Sequence, residues 1–348
     1  MKSRTRNMEN SNLRPDPERT VLVVGGAGYI GSVLTPRLLE ANYRVRTLDR
    51  LLYDNGETVL PWMGHPNYEF TWGDFADQAI LSAALEGATD VVFLAGLVGD
   101  PITKTYPSES EAINDRGYLD GLPLLKDRGL NRVIFVSTCS NYGLIEGNEL
   151  ADEEFELNPL SLYAKAKVRI ERELLSRKGD VDYIGTVLRF ATAFGLSPRM
   201  RFDLTISEFV REVWSGRELL VYDPDTWRPY CHVRDFATVI KNVLEAPAED
   251  VSFEVFNAGG DANNYTKRMI VHEIEKRIPD AAIRYQEHGA DPRNYRVDFG
   301  KIRERLNFEP AHTVVDGIEE LVTALDAKLF VNAQARRNFH GNYEISYP

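Results

Sequence analysis

The chain has 348 residues, enough for one large domain or two smaller ones, and 43% of them are hydrophobic, which suffices for a real core. Its formal net charge of −12 argues against nucleic acid or an anionic membrane as the main partner, because both reward basic surfaces. Only Cys139 and Cys231 occur, too few for a disulfide framework, and no apolar stretch reaches membrane-spanning length, so a cytoplasmic protein is expected.

Residues 1–17 are polar, carry Arg4, Arg6 and Arg14 and lack the apolar run of a signal peptide, so a mobile tail is expected there. Strand-like apolar runs follow at 21–24, 44–48, 68–71, 91–94, 133–137 and 183–188. Helical patterns at 32–41, 78–86 and 109–128 lie between them. This alternation predicts an α/β fold, a doubly wound parallel sheet with helices on both faces. After Arg189 the pattern breaks into loops rich in Gly and Pro with interspersed helices, and 255–257 reads as a return strand. Two interleaved units are therefore expected. A sheet domain takes 18–188 plus about 229–258, a smaller lobe takes 189–228 plus about 259–330, and 331–348 is a C-terminal extension.

The first strand runs into Gly25-Gly-Ala-Gly28-Tyr29-Ile30-Gly31, and a helix opens there, the context that a dinucleotide-binding turn requires. Gly25 permits the tight turn, Gly28 lets a diphosphate approach the backbone, and Gly31 allows close helix–strand packing; the free N–H groups at the helix start hold the anion. Asp49 ends the second strand about 20 residues after the glycines, where a carboxylate bonds the ribose hydroxyls and repels a 2′-phosphate. NAD is thereby favoured over NADP, against the neighbouring charges of Arg46 and Arg50. Gly73-Asp74-Phe75 follows the third strand and places Asp74 at the adenine end.

Tyr163 and Lys167 stand four apart in a helical segment, and i and i+4 side chains share a face about 5–6 Å apart. At an effective dielectric near 20 the ammonium is worth roughly 3 kcal/mol to a phenolate, about two units off a phenol pKa that starts near 10. The pair is expected to take a proton from a substrate hydroxyl. The six His show no ligand spacing for a metal, and no Gly-x-Ser-x-Gly elbow is present.

Taken together, Gly25-x-x-Gly28-x-x-Gly31, Gly73-Asp74, Leu94-Ala95-Gly96-Leu97, Ser137-Thr138 with Tyr142-Gly143, Tyr163-x-x-x-Lys167, 188–195 and 228–235 resemble the extended short-chain dehydrogenase/reductases. The likeness is to their NAD-dependent epimerase/dehydratase family, which works on sugar nucleotides. The resemblance implies Thr138, Tyr163 and Lys167 as the catalytic set, with Lys167 also on the nicotinamide ribose. It implies Tyr29, Ile30, Phe75, Leu94, Ala95, Gly96 and Ser137 as further cofactor contacts. Thr138, Cys139, Ser140 and Thr192 are expected at the sugar, and Arg228, Arg293, Arg199 and Arg201 at the diphosphate, where a guanidinium grips phosphate bidentately.

Departures from the family pattern sharpen the expectation. Members that dehydrate across C5 and C6 carry an Asp-Glu pair after the Thr; here Cys139-Ser140 stands instead, which disfavours that elimination. Thr192 replaces an Asn common in 4-epimerases, and His288 stands where a second diphosphate Arg is often found. The stretch 197–204 is similar to a branch that includes nucleotide-heptose C4 dehydrogenases. The expected activity is NAD-dependent oxidoreduction at C4 of a nucleoside-diphosphate sugar, foremost 4-epimerisation, with a 4-dehydrogenase or 4-keto reductase as alternatives; a 4,6-dehydratase, or a non-catalytic NAD-binding regulator, which would be expected to have lost Tyr163 or Lys167, ranks below them. A homodimer through helices near 109–128 and 163–177 is implied by the resemblance.

Overall fold

Seven apolar runs pair into one parallel sheet in the computed structural model, which describes residues 19–347 apart from 148 and 290. The tail expected at 1–17 lies outside the described residues. The strands are β1 (Thr20–Val24), β2 (Arg44–Asp49), β3 (Tyr68–Trp72), β4 (Asp90–Phe93), β5 (Arg132–Thr138), β6 (Ile184–Phe190) and β7 (Glu254–Ala258). Their order is β7-β6-β5-β4-β1-β2-β3, every neighbouring pair parallel. The order reverses between β1 and β4, and a crevice opens beyond the strand ends at such a switch point. Val21 faces Val45 on one side and Asp90 on the other, which sets the register around the glycine turn.

Because both faces are covered, the central strands β1, β4 and β5 are near-continuous apolar runs, whereas β2 and β3 toward the edge keep polar residues. Val21 and Val23 join one buried cluster with Ile134 and Val136; Leu22 and Val24 join the other with Val133 and Phe135. Helix α1 (Gly31–Glu40) follows β1, and α2 (Gln78–Leu85) starts where the Asp77 carboxylate accepts from the N–H groups of Ala79 and Ile80. Helix α3 (Leu162–Ser176) begins where the Ser161 hydroxyl accepts from the N–H of Ala164 at 3.2 Å.

The helix expected over 109–128 is broken. It divides into Pro107–Glu111, a π-type turn at Ala112–Arg116, Gly117–Gly121 and a 3₁₀ turn at Leu122–Leu125. Glycines allow close approach here: a Cβ on Gly117 would stand 2.9 Å from the Ala76 methyl, and one on Gly121 2.9 Å from Leu81. Pro123 lacks the N–H that would continue an α-helical ladder.

A smaller body completes the chain. Thr192–Phe194, Trp227–His232 and Asn264–Thr266 form a three-stranded sheet, and Leu219–Tyr222 pairs with Ile283–Gln286. Helices α4 (Thr205–Trp214), α6 (Lys267–Arg277) and α7 (Val314–Asp326) pack into a third apolar cluster. Helix α5 (Val233–Glu245) instead lies against α1, with Phe236, Ala237 and Ile240 beside Leu34 and Leu38. The chain thus leaves the main sheet after β6 and returns in α5 and β7. No helix among the described residues is long and apolar enough to cross a membrane.

Candidate active site

The glycine turn is as tight as its spacing implies. Gly25 adopts φ +88°, and a Cβ there would fall 2.6 Å from the backbone nitrogen of Ala95; one on Gly31 would fall 2.5 Å from the Cα of Gly26. Gly25, Gly28, Tyr29, Ile30 and Gly31 border a cavity of about 430 Å³. Asp49 enters it from the end of β2, accepting from the N–H of Ala27 at 3.0 Å and of Leu51 at 2.8 Å. Burial raises the Asp49 pKa, and those two backbone donors together with the Arg199 charge work against that rise. Arg50 lines the cavity but is paired with Asp74 at 2.6 Å, whereas Arg46 turns to Glu69 and the carbonyls of Ala84 and Glu86 and is not part of the wall.

Asp74, Phe75, Leu94, Ala95, Gly96 and Ser137 also face this cavity. The loop after β4 is held from beneath. Asn114 accepts from the N–H of Leu97 and donates to its carbonyl, both at 2.9 Å, and the Tyr118 hydroxyl donates to the carbonyl of Ala95 at 2.6 Å. The π-type turn at 112–116 contains Asn114, so the broken helix holds the loop after β4 that borders the cavity. Sequence reasoning missed Asn114 because the local pattern reads as ordinary amphipathic helix.

Thr138 ends β5, Tyr163 and Lys167 stand on one face of α3, and all three border the cavity. The Thr138 hydroxyl oxygen accepts from the N–H of Ser140 at 3.1 Å, which leaves its own proton to donate. Lys167 is only 3% exposed; its ammonium donates to the Val136 carbonyl at 2.8 Å and lies 4.6 Å from the centre of the Phe135 ring. Burial pushes the Lys167 ammonium down to about 7, with the Glu171 charge pulling the other way. The Tyr163 phenol is pushed up, chiefly by burial, while Arg201 and Arg293 pull it down and Asp100 raises it further. Burial thus acts against the lowering expected at Tyr163, and it also weakens the Lys167 charge that was expected to contribute to it. One more turn along α3, Glu171 is 1% exposed and tied to Ser137, Asn141 and Arg189.

At the other end of the cavity, Arg228 and Arg293 converge. Asp291 bridges them, 3.1 Å from Arg228 and 2.7 Å from Arg293, and these guanidinium groups hold its carboxyl far below the usual range. Arg293 also reaches Asp100 at 3.1 Å and the Ser140 hydroxyl at 3.3 Å. Tyr295 places its hydroxyl 3.3 Å from the same Ser140, with Arg228 over its ring. Thr192 and Lys267 complete this wall. His288 is exposed and does not line the cavity; Arg293 does. Asp291 and Tyr295 escaped the sequence reading, although both flank Arg293 at two-residue spacing.

Cys139 must be corrected. Its thiol points to the carbonyl of Arg189 at 3.1 Å, it is 1% exposed in the apolar cluster behind β5, and burial raises its pKa well above the ordinary value. It does not border the cavity, whereas Ser140 does. Arg199 and Arg201 also border it, Arg199 over the Tyr53 ring and Arg201 bonded to the Val98 carbonyl and close enough to act on Tyr163.

Comparison with known proteins adds a family to this geometry. The profile described as the NAD dependent epimerase/dehydratase family matches residues 21–259. UDP-glucose 4-epimerase of Corynebacterium glutamicum is 27% identical over 335 residues, spanning 91% of this chain and 97% of the relative. UDP-glucuronic acid decarboxylase 6 of Arabidopsis thaliana is 27% identical over 327 residues, spanning 88% and 87%. The crystal structure of dTDP-glucose 4,6-dehydratase from Bacillus anthracis, in complex with NAD, superposes with a TM-score of 0.79 at 25% identity, covering 92% of this chain and 99% of that one.

Proposed function

We propose that this chain, which belongs to the NAD dependent epimerase/dehydratase family, oxidises C4 of a nucleoside-diphosphate sugar and restores it with inverted configuration. The family is NAD-dependent, and the glycine turn, Asp49 and the loop of Leu94, Ala95 and Gly96 are chemically suited to a dinucleotide. Bound there, NAD would supply a hydride acceptor and donor for C4.

In this reading Tyr163 takes the proton of the C4 hydroxyl, Thr138 donates a hydrogen bond to that oxygen, and Lys167 holds the cofactor ribose while biasing Tyr163 toward phenolate. Arg228 and Arg293 grip the substrate diphosphate in exchange for their shared partner Asp291. The relatives are named for decarboxylation, 4-epimerisation and 4,6-dehydration, so in this reading the outcome turns on what else touches the sugar. The observation that carries 4-epimerisation is the pair after Thr138. Cys139 is turned into the core and Ser140 is neutral, so neither supplies the acid and base that loss of water demands.

Mass spectrometry of UDP- and dTDP-hexoses incubated with the enzyme tests this. A product of unchanged mass and inverted C4, with the protein-bound nicotinamide absorbance returning to its start, is expected. A product lighter by two hydrogens with accumulating NADH would make the enzyme a 4-dehydrogenase, and one lighter by a water would defeat the argument from residues 139 and 140.

A further inference from the structure

Arg199 is an unusual cation. It is 2% exposed, borders the cavity, and among the described residues has no carboxylate within ion-pair distance; its Nε has no hydrogen-bond partner. Its neighbour Arg201 takes both oxygens of Asp203. Arg199 is held by carbonyls alone, donating to Asn338 at 3.1 Å and Gly341 at 3.0 Å, with its guanidinium carbon 4.4 Å from the centre of the Tyr53 ring. Burial and the like charge of Arg201 push its pKa down to about 10, so the site favours an added negative charge.

The place of that charge follows from how its loop is pinned. The Ser197 hydroxyl donates to the carbonyl of Tyr29 at 2.7 Å and lies 3.0 Å from the Ser32 hydroxyl, while the Tyr29 hydroxyl donates to the carbonyl of Gly195 at 2.5 Å. Two residues after Ser197, Arg199 therefore stands at the glycine turn and the start of α1. Arg228 and Arg293, by contrast, already share the carboxylate of Asp291. The segment that supplies the two carbonyls then runs over the same end. Arg336 pairs with Glu57 at 2.7 Å, Asn342 donates to the Val98 carbonyl at 2.9 Å, and the Tyr347 ring lies 4.4 Å from the Arg50 guanidinium. Asn342, Tyr343 and Tyr347 are themselves part of the cavity wall.

We propose that Arg199 is the anion anchor for the diphosphate of the dinucleotide, and that residues 336–347, which hold it, form a strap that retains the cofactor through successive turnovers. The proposal moves Arg199 from the sugar nucleotide to the cofactor. It rests on the NAD dependence of the family and is independent of which C4 chemistry the enzyme performs, so its test reads binding alone.

The probes are NADH, ADP-ribose and UDP on the full chain. Arg199→Met should weaken ADP-ribose binding on the order of 10- to 100-fold, the share of one charge-assisted contact, with UDP binding unchanged. Tyr347→Ala, a partly exposed position that should fold, should release NADH at least about tenfold faster in stopped-flow fluorescence, because the ring that closes over Arg50 is gone. Unaltered ADP-ribose affinity in Arg199→Met, with or without a loss of UDP affinity, overturns the anchor. Unaltered NADH release in Tyr347→Ala overturns the strap. Should Arg199→Met not fold, Arg199→Lys replaces it: the charge stays but the planar fork is lost, and ADP-ribose affinity must still fall for the anchor to stand.

Discussion

Glu171 and Arg189 form a buried ion pair at 2.9 Å, with side-chain exposures of 2% and 6%, one turn along α3 from Lys167. The same carboxylate accepts from Ser137 and Asn141, and Arg189 also donates to the Tyr142 hydroxyl at 3.0 Å. The pair ties α3 to the ends of β5 and β6, and so sets where Lys167 and Tyr163 stand.

Glu171→Ala leaves the Arg189 guanidinium buried without its anion, which typically costs about 3–5 kcal/mol. Urea unfolding should show a lower midpoint with an unchanged slope, the product of shift and slope giving that loss. A loss below about 1 kcal/mol would mean that the Tyr142 hydroxyl and the Glu153 carbonyl suffice for Arg189.

Tyr163→Phe should keep bound NAD and the folded state while turnover falls on the order of 10²- to 10⁴-fold, the range of a lost general base. Lys167→Met should lower both turnover and NAD affinity. Cofactor content by absorbance and initial rates separate the two effects; a Phe variant at near wild-type rate would remove Tyr163 from the chemistry.

Lys167 also predicts a pH dependence of stability. Its folded-state value of about 7 lies below the ordinary 10.5, so between those values the unfolded chain carries a proton that the folded chain lacks. Stability then rises with pH across that window, and the contribution is lost as pH falls through 7. Lys167→Met should abolish this rise in cofactor-free protein. Parallel stability profiles for wild type and Lys167→Met from pH 7 to about 9.5 would show that the Val136 carbonyl and the aromatic faces keep the ammonium charged.

NAD(H) should bind at least about tenfold more tightly than NADP(H), because a 2′-phosphate would meet the Asp49 carboxylate while Arg50 is engaged by Asp74 and Arg46 is turned away. Fluorescence titration of both reduced cofactors checks this. The reverse order would assign Arg50 and Arg199 to a 2′-phosphate.

The sequence by itself determined the parallel sheet, the glycine turn, Asp49 at the end of β2, and the shared face of Tyr163 and Lys167. All of these rest on local spacing: a period of two or of 3.6 residues, a turn that only glycine can make, a strand end fixed by its own length. Tertiary structure decided what local spacing does not carry. Cys139 and Ser140 are adjacent in sequence, yet the end of β5 sends one into the core and the other to the cavity. The helix pattern over 109–128 yielded to glycine contacts with Ala76 and Leu81 and to the demand of Leu97 for Asn114. Arg199 and Arg228 look alike in sequence as phosphate-ligand candidates; the fold gives Arg199 the carbonyls of Asn338 and Gly341 and gives Arg228 the carboxylate of Asp291. Burial reversed the expected balance at Tyr163 and Lys167, since desolvation depends on how many atoms fold around a charge and not on which residue stands four places away.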